Sequence, residues 1–306
     1  MKKYLFGTTM LALAALAGMA HADDTKQTIN ICTGSASKPY NATGNLIGQY
    51  LQDSKDIDFK VITTQGSWDN VQRGTGAMTP ERIASGDACQ VFIAQPDAMV
   101  RLSNVNQGAA EHARAIGHGP VEYLHVLCSK KSGITDLKQL KSNPKATLAV
   151  GKDGSGAWLI WNNFISANKD YANVPTLPND GLDAVTAVDT NTASCALIPT
   201  GIKSGIMNQV NDQYSDTIGL VTAGDNAFAK AKNADGEALY TWSAIPSGTY
   251  PKLQTGFFSS KVETIAWAAN IYVNTDLIKD ETRYNEILQA VSKSRAGIKR
   301  AYGSLD

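Results

Sequence analysis

The sequence predicts an α/β protein built as two lobes. Short runs rich in β-branched residues alternate with segments of helical periodicity, the signature of parallel strands covered by helices. The alternation breaks off around Pro144 and begins again at Ala146, so two separate sheets are expected. The length of 306 residues also suits two units, at roughly 100–200 residues per domain.

The elements follow in order. Thr28-Ile29-Asn30-Ile31-Cys32 reads as a strand and runs into Thr33-Gly34-Ser35-Ala36-Ser37. Leu46, Ile47, Tyr50 and Leu51 then share one helical face. Phe59-Lys60-Val61-Ile62-Thr63 is a strand leading to Gln65-Gly66-Ser67-Trp68, and Cys89-Gln90-Val91-Phe92-Ile93-Ala94 another leading to Gln95-Pro96-Asp97. A further strand is expected over residues 123–128, then a helix-sized element over 134–140. In the second half Ala146-Thr147-Leu148-Ala149-Val150 leads to Gly154-Ser155-Gly156 and a helix over 157–167. Ser194-Cys195-Ala196-Leu197-Ile198 and Ile218-Gly219-Leu220-Val221 are its remaining strands. The chain closes with Ala269-Asn270-Ile271-Tyr272-Val273 and a helix that carries Tyr284, Ile287, Leu288 and Val291 on one face, with Asp280 as its N-cap.

Composition narrows the function. Apolar residues make up 43 % of the chain and are spread along it, which excludes low-complexity disorder. The 28 basic residues match 28 acidic ones, so no basic excess exists to hold a nucleic-acid backbone. Met1-Lys2-Lys3, an apolar stretch over residues 5–19 and the small-residue site Ala20-His21-Ala22 form the three parts of a secretory signal. The apolar stretch is short of the roughly 20 residues a bilayer needs. Cleavage before Asp23 and a periplasmic location are expected. Four cysteines remain, Cys32, Cys89, Cys128 and Cys195, each in an apolar run. An exported chain permits disulfides, but buried free thiols fit these positions as well, and spacing does not choose among the pairings.

In parallel α/β sheets ligands bind beyond the carboxyl ends of the strands. Four strand-to-helix turns there carry small polar residues: the loop from Thr33, Gly66-Ser67, Gln95-Pro96-Asp97 and Gly154-Ser155-Gly156. Small residues let a ligand approach backbone N–H groups, and a helix N-terminus favours an anion. Such turns also cap helices in any α/β protein; their division between two halves points to a cleft between lobes. Trp158, on the first turn of the Gly-Ser-Gly helix, is either core or a wall of that cleft. Enzyme signals are thin. Ser35-Ala36-Ser37-Lys38 matches S-x-x-K, with Ser35 as nucleophile and Lys38 as base, but this serine follows a strand and does not open a buried helix. G-x-S-x-G is absent, and Gly154-Ser155-Gly156 lacks the Lys of a P-loop. His112, His118 and His125, with Glu111 and Glu122, form the one possible metal cluster, but their spacing matches no H-x-x-x-H pair on a helix face. No cofactor and no metal are expected.

The motifs in order resemble the TAXI-type periplasmic solute receptors of tripartite ATP-independent (TRAP) transporters. The resemblance covers nearly all of the chain after the signal. It rests on Ile31-Cys32-Thr33-Gly34 with Tyr40, Gly44 and Gly48; on Thr64-Gln65-Gly66-Ser67-Trp68-Asp69-Asn70; and on Ala84-Ser85-Gly86-Asp87-Ala88 with Gln95-Pro96-Asp97. It continues through Glu122-Tyr123-Leu124-His125-Val126, Ile134-Thr135-Asp136-Leu137-Lys138, Gly151 with Gly154-Ser155-Gly156, and Ile245-Pro246-Ser247-Gly248-Thr249-Tyr250. Two features depart from the family pattern. Ser35-Ala36-Ser37-Lys38-Pro39 replaces a glycine-dense loop and adds a cation, and Gly74-Thr75-Gly76-Ala77-Met78-Thr79-Pro80 reads as an inserted loop.

The resemblance implies a type II periplasmic-binding-protein fold, with two α/β lobes joined by two crossing segments. Lobe I would comprise residues 23–126 and 261–306, and lobe II residues 127–260. It implies a non-enzymatic, monomeric receptor that captures a small organic anion, a glutamate-like amino acid or a dicarboxylate, and delivers it to TRAP membrane subunits. A sensory protein reporting to a kinase, and a Ser35/Lys38 acyl-transfer enzyme, are the competing readings. The implied contact positions are Thr33, Gly34, Ser35, Tyr40, Gly66, Ser67, Gln95, Ser155, Gly156 and Tyr250, to which the residues themselves add Lys38 and Trp158.

Overall fold

The computed structural model describes residues 26–36, 38–78, 80–233, 236–254, 260–303 and 305. The expected signal segment and its cleavage site lie outside the described residues, as do Ser37, Thr79 and Ser259.

The chain opens with β1 (Gln27–Cys32), α1 (Pro39–Leu51), β2 (Ile57–Ile62), α2 (Ser67–Thr75), α3 (Pro80–Ala84), β3 (Val91–Ala94), α4 (Pro96–Val105) and α5 (Gln107–Ala110). A long strand, β4 (Ala113–Ser129), carries it across to β5 (Leu148–Ala149), α6 (Gly156–Ala167), β6 (Thr176–Leu177), α7 (Gly181–Asp189), β7 (Cys195–Thr200), α8 (Gly205–Gln209), β8 (Ile218–Val221) and β9 (Thr241–Ile245). A second long strand, β10 (Val262–Asn274), returns, and α9 (Glu281–Tyr302) ends the fold.

The strands lie in the order β2-β1-β3-β10-β4-β7-β5-β6, with β8 also on β4 and β9 on β10. The expected pair of sheets is therefore one continuous sheet. The reason is the length of β4, 17 residues, and β10, 13 residues. Each serves both halves in turn. β4 pairs with β10 up to Tyr123 and with β7 from Tyr123 onward. β10 pairs with β9 up to Ala266 and with β4 and β3 beyond it. The chain thus crosses twice at Glu122–Tyr123 and Ala266–Trp267, and these crossings divide two α/β lobes. Within each lobe the outer strands are parallel, β1 with β2 and β3 in one and β5 with β6 and β7 in the other.

Local sequence explains the elements. β1 alternates so that Ile29 and Ile31 are fully buried. Each such side chain contributes about 1.5–3 kcal/mol relative to exposure. α9 begins at Asp280, whose carboxylate accepts the Arg283 N–H at 2.7 Å, a cap that satisfies one orphan donor. Its buried face, Ile287, Ala290, Val291, Ser294 and Ile298, lies on the first lobe. Gly74 is not part of an inserted loop: it closes α2 against the Phe92 ring, where a Cβ would collide. The departure from helix begins only at Gly76, in the left-handed region at φ 70°. The element expected at 134–140 is a 3-10 turn over Leu137–Ser142.

The four cysteines form two disulfides, Cys32–Cys89 and Cys128–Cys195. The free-thiol reading is thereby corrected. Register explains the second bond: Cys128 and Cys195 stand directly opposite on β4 and β7.

Candidate functional site

Where the lobes face each other they enclose a cleft of about 590 Å³. One wall comes from the first lobe: Gly34, Ser35, Lys38 and Tyr40 after β1, Thr64 to Ser67 after β2, and Gln95 after β3. The other comes from Gly156 at the start of α6, Asp180 to Leu182 at the start of α7, and Thr200 with Ser204 to Ile206 after β7. All are carboxyl ends of strands, where the edge of an open sheet leaves a crevice.

Asn70 holds the first wall in shape. Its amide nitrogen donates to the carbonyls of Thr33 and, at 2.7 Å, of Ile93, and its oxygen accepts from the Thr64 hydroxyl. One side chain thus ties together the three strand ends. Ser67 adds a bond from the Gln95 N–H at 3.1 Å. Gly66 stands at φ 112°, a conformation open to glycine, and it presents the N-terminus of α2 to the cleft. Behind it Asp69 accepts from Gln65 N–H and from Arg73 and Arg82 at 3.1 and 2.6 Å. Burial works against its charge, but these donors hold its carboxyl below the usual range. Arg82 sits on α3, so the chain that follows Gly76 returns to brace the cleft loop.

The floor of the cleft carries a buried carboxylate. Glu122, 6 % exposed, lies where β4 crosses between lobes. Its Oε2 accepts from the Tyr40 hydroxyl at 2.6 Å and from the Trp267 indole at 3.2 Å. Burial raises its pKa, while the Tyr40 bond, the Lys38 charge and the Trp267 bond act the other way. At the mouth Lys38 Nζ lies 3.9 Å from Asp180 Oδ2, an ion pair spanning the lobes. Gln95 is 3 % exposed and its Nε2 has no partner among the described residues; Ser204 Oγ also has none. A Cβ at Gly156 would crowd Gln95 Oε1, the end of a side chain from the other lobe, so the lobes approach closely there.

Of the expected positions, Gly34, Ser35, Lys38, Tyr40, Gly66, Ser67, Gln95 and Gly156 face the cleft. Four stand elsewhere. Thr33 is fully buried, its hydroxyl donating to Ile62 O at 3.1 Å. Ser155 caps α6: its Oγ accepts the Trp158 N–H at 3.3 Å and donates to Val150 O. Trp158 lines a separate cavity of about 150 Å³ with Asp97 and Arg101. Tyr250 is 1 % exposed in the second lobe's core, bonded to His125 Nε2 at 3.0 Å and to Lys203 N–H at 2.9 Å. Sequence reading did not place Glu122, Asp180, Thr200 or Ser204 in the cleft. Glu122 stood within a recognised motif, but its direction depends on the crossing of β4. The other three lie in turn-forming stretches, Pro178-Asn179-Asp180-Gly181 and Pro199-Thr200-Gly201 through Ser204-Gly205, whose small and polar residues were a signal that could have marked them.

The comparisons with known proteins agree with this geometry. Residues 31–291 match the NMT1-like family. The chain belongs to the NMT1-like family. No curated protein is similar enough in sequence to count as a match. Among solved structures, MatC from Rhodopseudomonas palustris with bound malate has a TM-score of 0.52 at 12 % identity, over 89 % of this chain and 86 % of that one. The periplasmic binding protein BugD also has 0.52, at 10 % identity, over 90 % and 86 %. A protein of Bordetella bronchiseptica has 0.51 at 14 % identity, over 90 % and 76 %. These likenesses establish the fold: this NMT1-like chain has the two-lobed α/β architecture of periplasmic solute-binding proteins. Among the described residues no helix is long and apolar enough to cross a membrane, and no cluster of metal-ligating side chains occurs.

Proposed function

We propose that the chain is a non-enzymatic receptor that closes its lobes on a small organic solute and delivers it to a membrane permease of the TRAP type. The carrying observation is the division of the cleft between the lobes, with Ser35, Ser67 and Gln95 on one side and Gly156, Asp180 and Thr200 on the other. A solute that touches both sets gains contacts only when the lobes meet, and that difference drives closure. The helix N-termini at Gly66-Ser67, Gly156 and Gly181 offer backbone N–H groups suited to a carboxylate. Lobes at residues 23–126 with 261–306 and at 127–260 would turn about the two crossing strands. Export by cleavage between Ala22 and Asp23 supplies the periplasmic setting. The acyl-transfer reading is disfavoured because Lys38 Nζ is directed to Asp180, across the cleft from the first lobe.

Native mass spectrometry of protein taken from the periplasm tests the receptor reading. A retained small solute, released on denaturation and unaltered, is expected. Turnover of that solute, or acylation of Ser35 by an activated ester, would overturn it. The TRAP assignment expects a TRAP-type permease gene beside this one whose deletion abolishes solute uptake; finding no such gene, or uptake that survives its loss, would overturn it.

A further inference from the structure

The charged groups lining the cleft are Lys38, Glu122 and Asp180, one cation against two carboxylates. Lys38 is engaged with Asp180 at the mouth. Its charge also acts on Glu122, so one cation serves two carboxylates and the lining keeps one net negative charge. Both donors that reach this carboxylate, Tyr40 and Trp267, bind the same oxygen, Oε2. Oε1 has no hydrogen-bond partner among the described residues, and the residue faces the cleft. A buried carboxylate with one oxygen satisfied and the other open to a cavity is costly unless a donor, best a cation, comes to it.

We propose that Glu122 determines specificity, and that the solute carries a protonated nitrogen set against Glu122 Oε1. The inference rests on the receptor reading above. It narrows that reading, because a dicarboxylate would bring two further negative charges into a desolvated space that already holds a carboxylate excess. A solute with one cationic nitrogen pairs Glu122. Its oxygen acceptors, if it has them, meet the α2 N-terminus and the Gln95 amide, the buried donor that lacks a partner. Tyr40 and Trp267 orient the carboxylate by occupying Oε2, which leaves Oε1 as the recognising atom.

The test is isothermal titration calorimetry on the full mature chain, freed of retained solute by unfolding and refolding. The probes are the protein amino acids, each against the 2-hydroxy acid of the same skeleton, together with succinate and glutarate, and any solute found retained. At least one amino compound is expected to bind, with its nitrogen-free analogue at least about a hundredfold weaker, since a site built around a donor rejects the analogue that lacks it. Glu122→Gln should abolish that discrimination. Glu122→Asp, which keeps the charge, should retain the preference at lower affinity, and melting curves of both variants establish that they fold. Equal binding of a nitrogen-free analogue, a retained solute without a basic nitrogen, or unchanged discrimination in Glu122→Gln would overturn the proposal while leaving the receptor reading intact. Absence of any retained solute, with no heat from any probe, would overturn both.

Discussion

The guanidinium of Arg101 lies 4.5 Å from the ring centre of Trp158, and the two residues belong to different lobes. The ring of Trp68, from the first lobe, lies 4.3 Å from the same guanidinium, and Asp153 of the second accepts from Nη1 at 2.7 Å. Trp158, expected at the cleft, is thus half of a clasp beside it. The clasp exists only while the lobes are together.

Arg101→Ala should therefore favour the open form. A stacked guanidinium contributes about 0.5–1 kcal/mol per ring at partly exposed sites, and the exposed ion pair little more. A loss of about 1–2 kcal/mol, roughly five- to thirtyfold in affinity for the retained solute, is expected. Intrinsic fluorescence should shift as Trp68 and Trp158 lose the cation. Unchanged affinity and spectrum would mean the clasp does not favour closure.

Solute binding should compact the protein. Small-angle scattering with and without the retained solute should show a smaller radius of gyration in its presence. Saturation at a hundred times the dissociation constant should also raise stability by about 2.7 kcal/mol. Binding without compaction would mean a rigid pocket.

Asp97 and Tyr240 form another bond between lobes, at 2.8 Å. Burial pushes Asp97 up to about 7, the Tyr240 bond opposing it, and its Oδ1 has no partner among the described residues. The folded chain then binds a proton that the unfolded chain has released, so this group's stabilisation is fully present below the usual carboxylate range. It is lost as pH rises to about 7, by at most about 1.4 kcal/mol per pH unit. Asp97→Asn should flatten the pH dependence of the melting temperature between pH 4 and 7.

His125 acts in the opposite sense. Two carbonyls, Tyr123 O and Ile198 O, face Nδ1 and require it to carry the proton, so Nε2 accepts from Tyr250. Burial lowers its pKa to about 4. The unfolded chain binds the extra proton, so stability is present above about 6.5 and lost as pH falls toward 4. His125→Gln should weaken the fold at pH 7 yet reduce its acid sensitivity. A variant as acid-sensitive as the parent would exclude His125 as the group responsible.

Removing the Cys128–Cys195 bond by Cys128→Ala with Cys195→Ala should cost about 2–4 kcal/mol, because 67 residues separate the two positions in sequence and the unfolded chain regains that loop's freedom. Equilibrium unfolding in denaturant measures it; a loss below about 1 kcal/mol would mean the β4–β7 ladder holds without the bond.

The sequence by itself determined the α/β alternation, the Asp280 cap, the helix after Gly154-Ser155-Gly156 and most of the cleft-facing turns. These follow from local periodicity and turn chemistry, which act over a few residues. Tertiary structure alone decided what depends on distant partners. Alternation does not report where a strand changes neighbours, so β4 and β10 read as short strands when each in fact spans both lobes. Ser155 and Tyr250 have the residue types of ligand contacts, but Val150 and His125 take up their polar atoms. Glu122 reads as one acidic residue in an apolar strand. Only the crossing of β4 beneath Tyr40 and beside Trp267 turns its carboxylate to the floor of the cleft, and no pattern along the chain records that meeting.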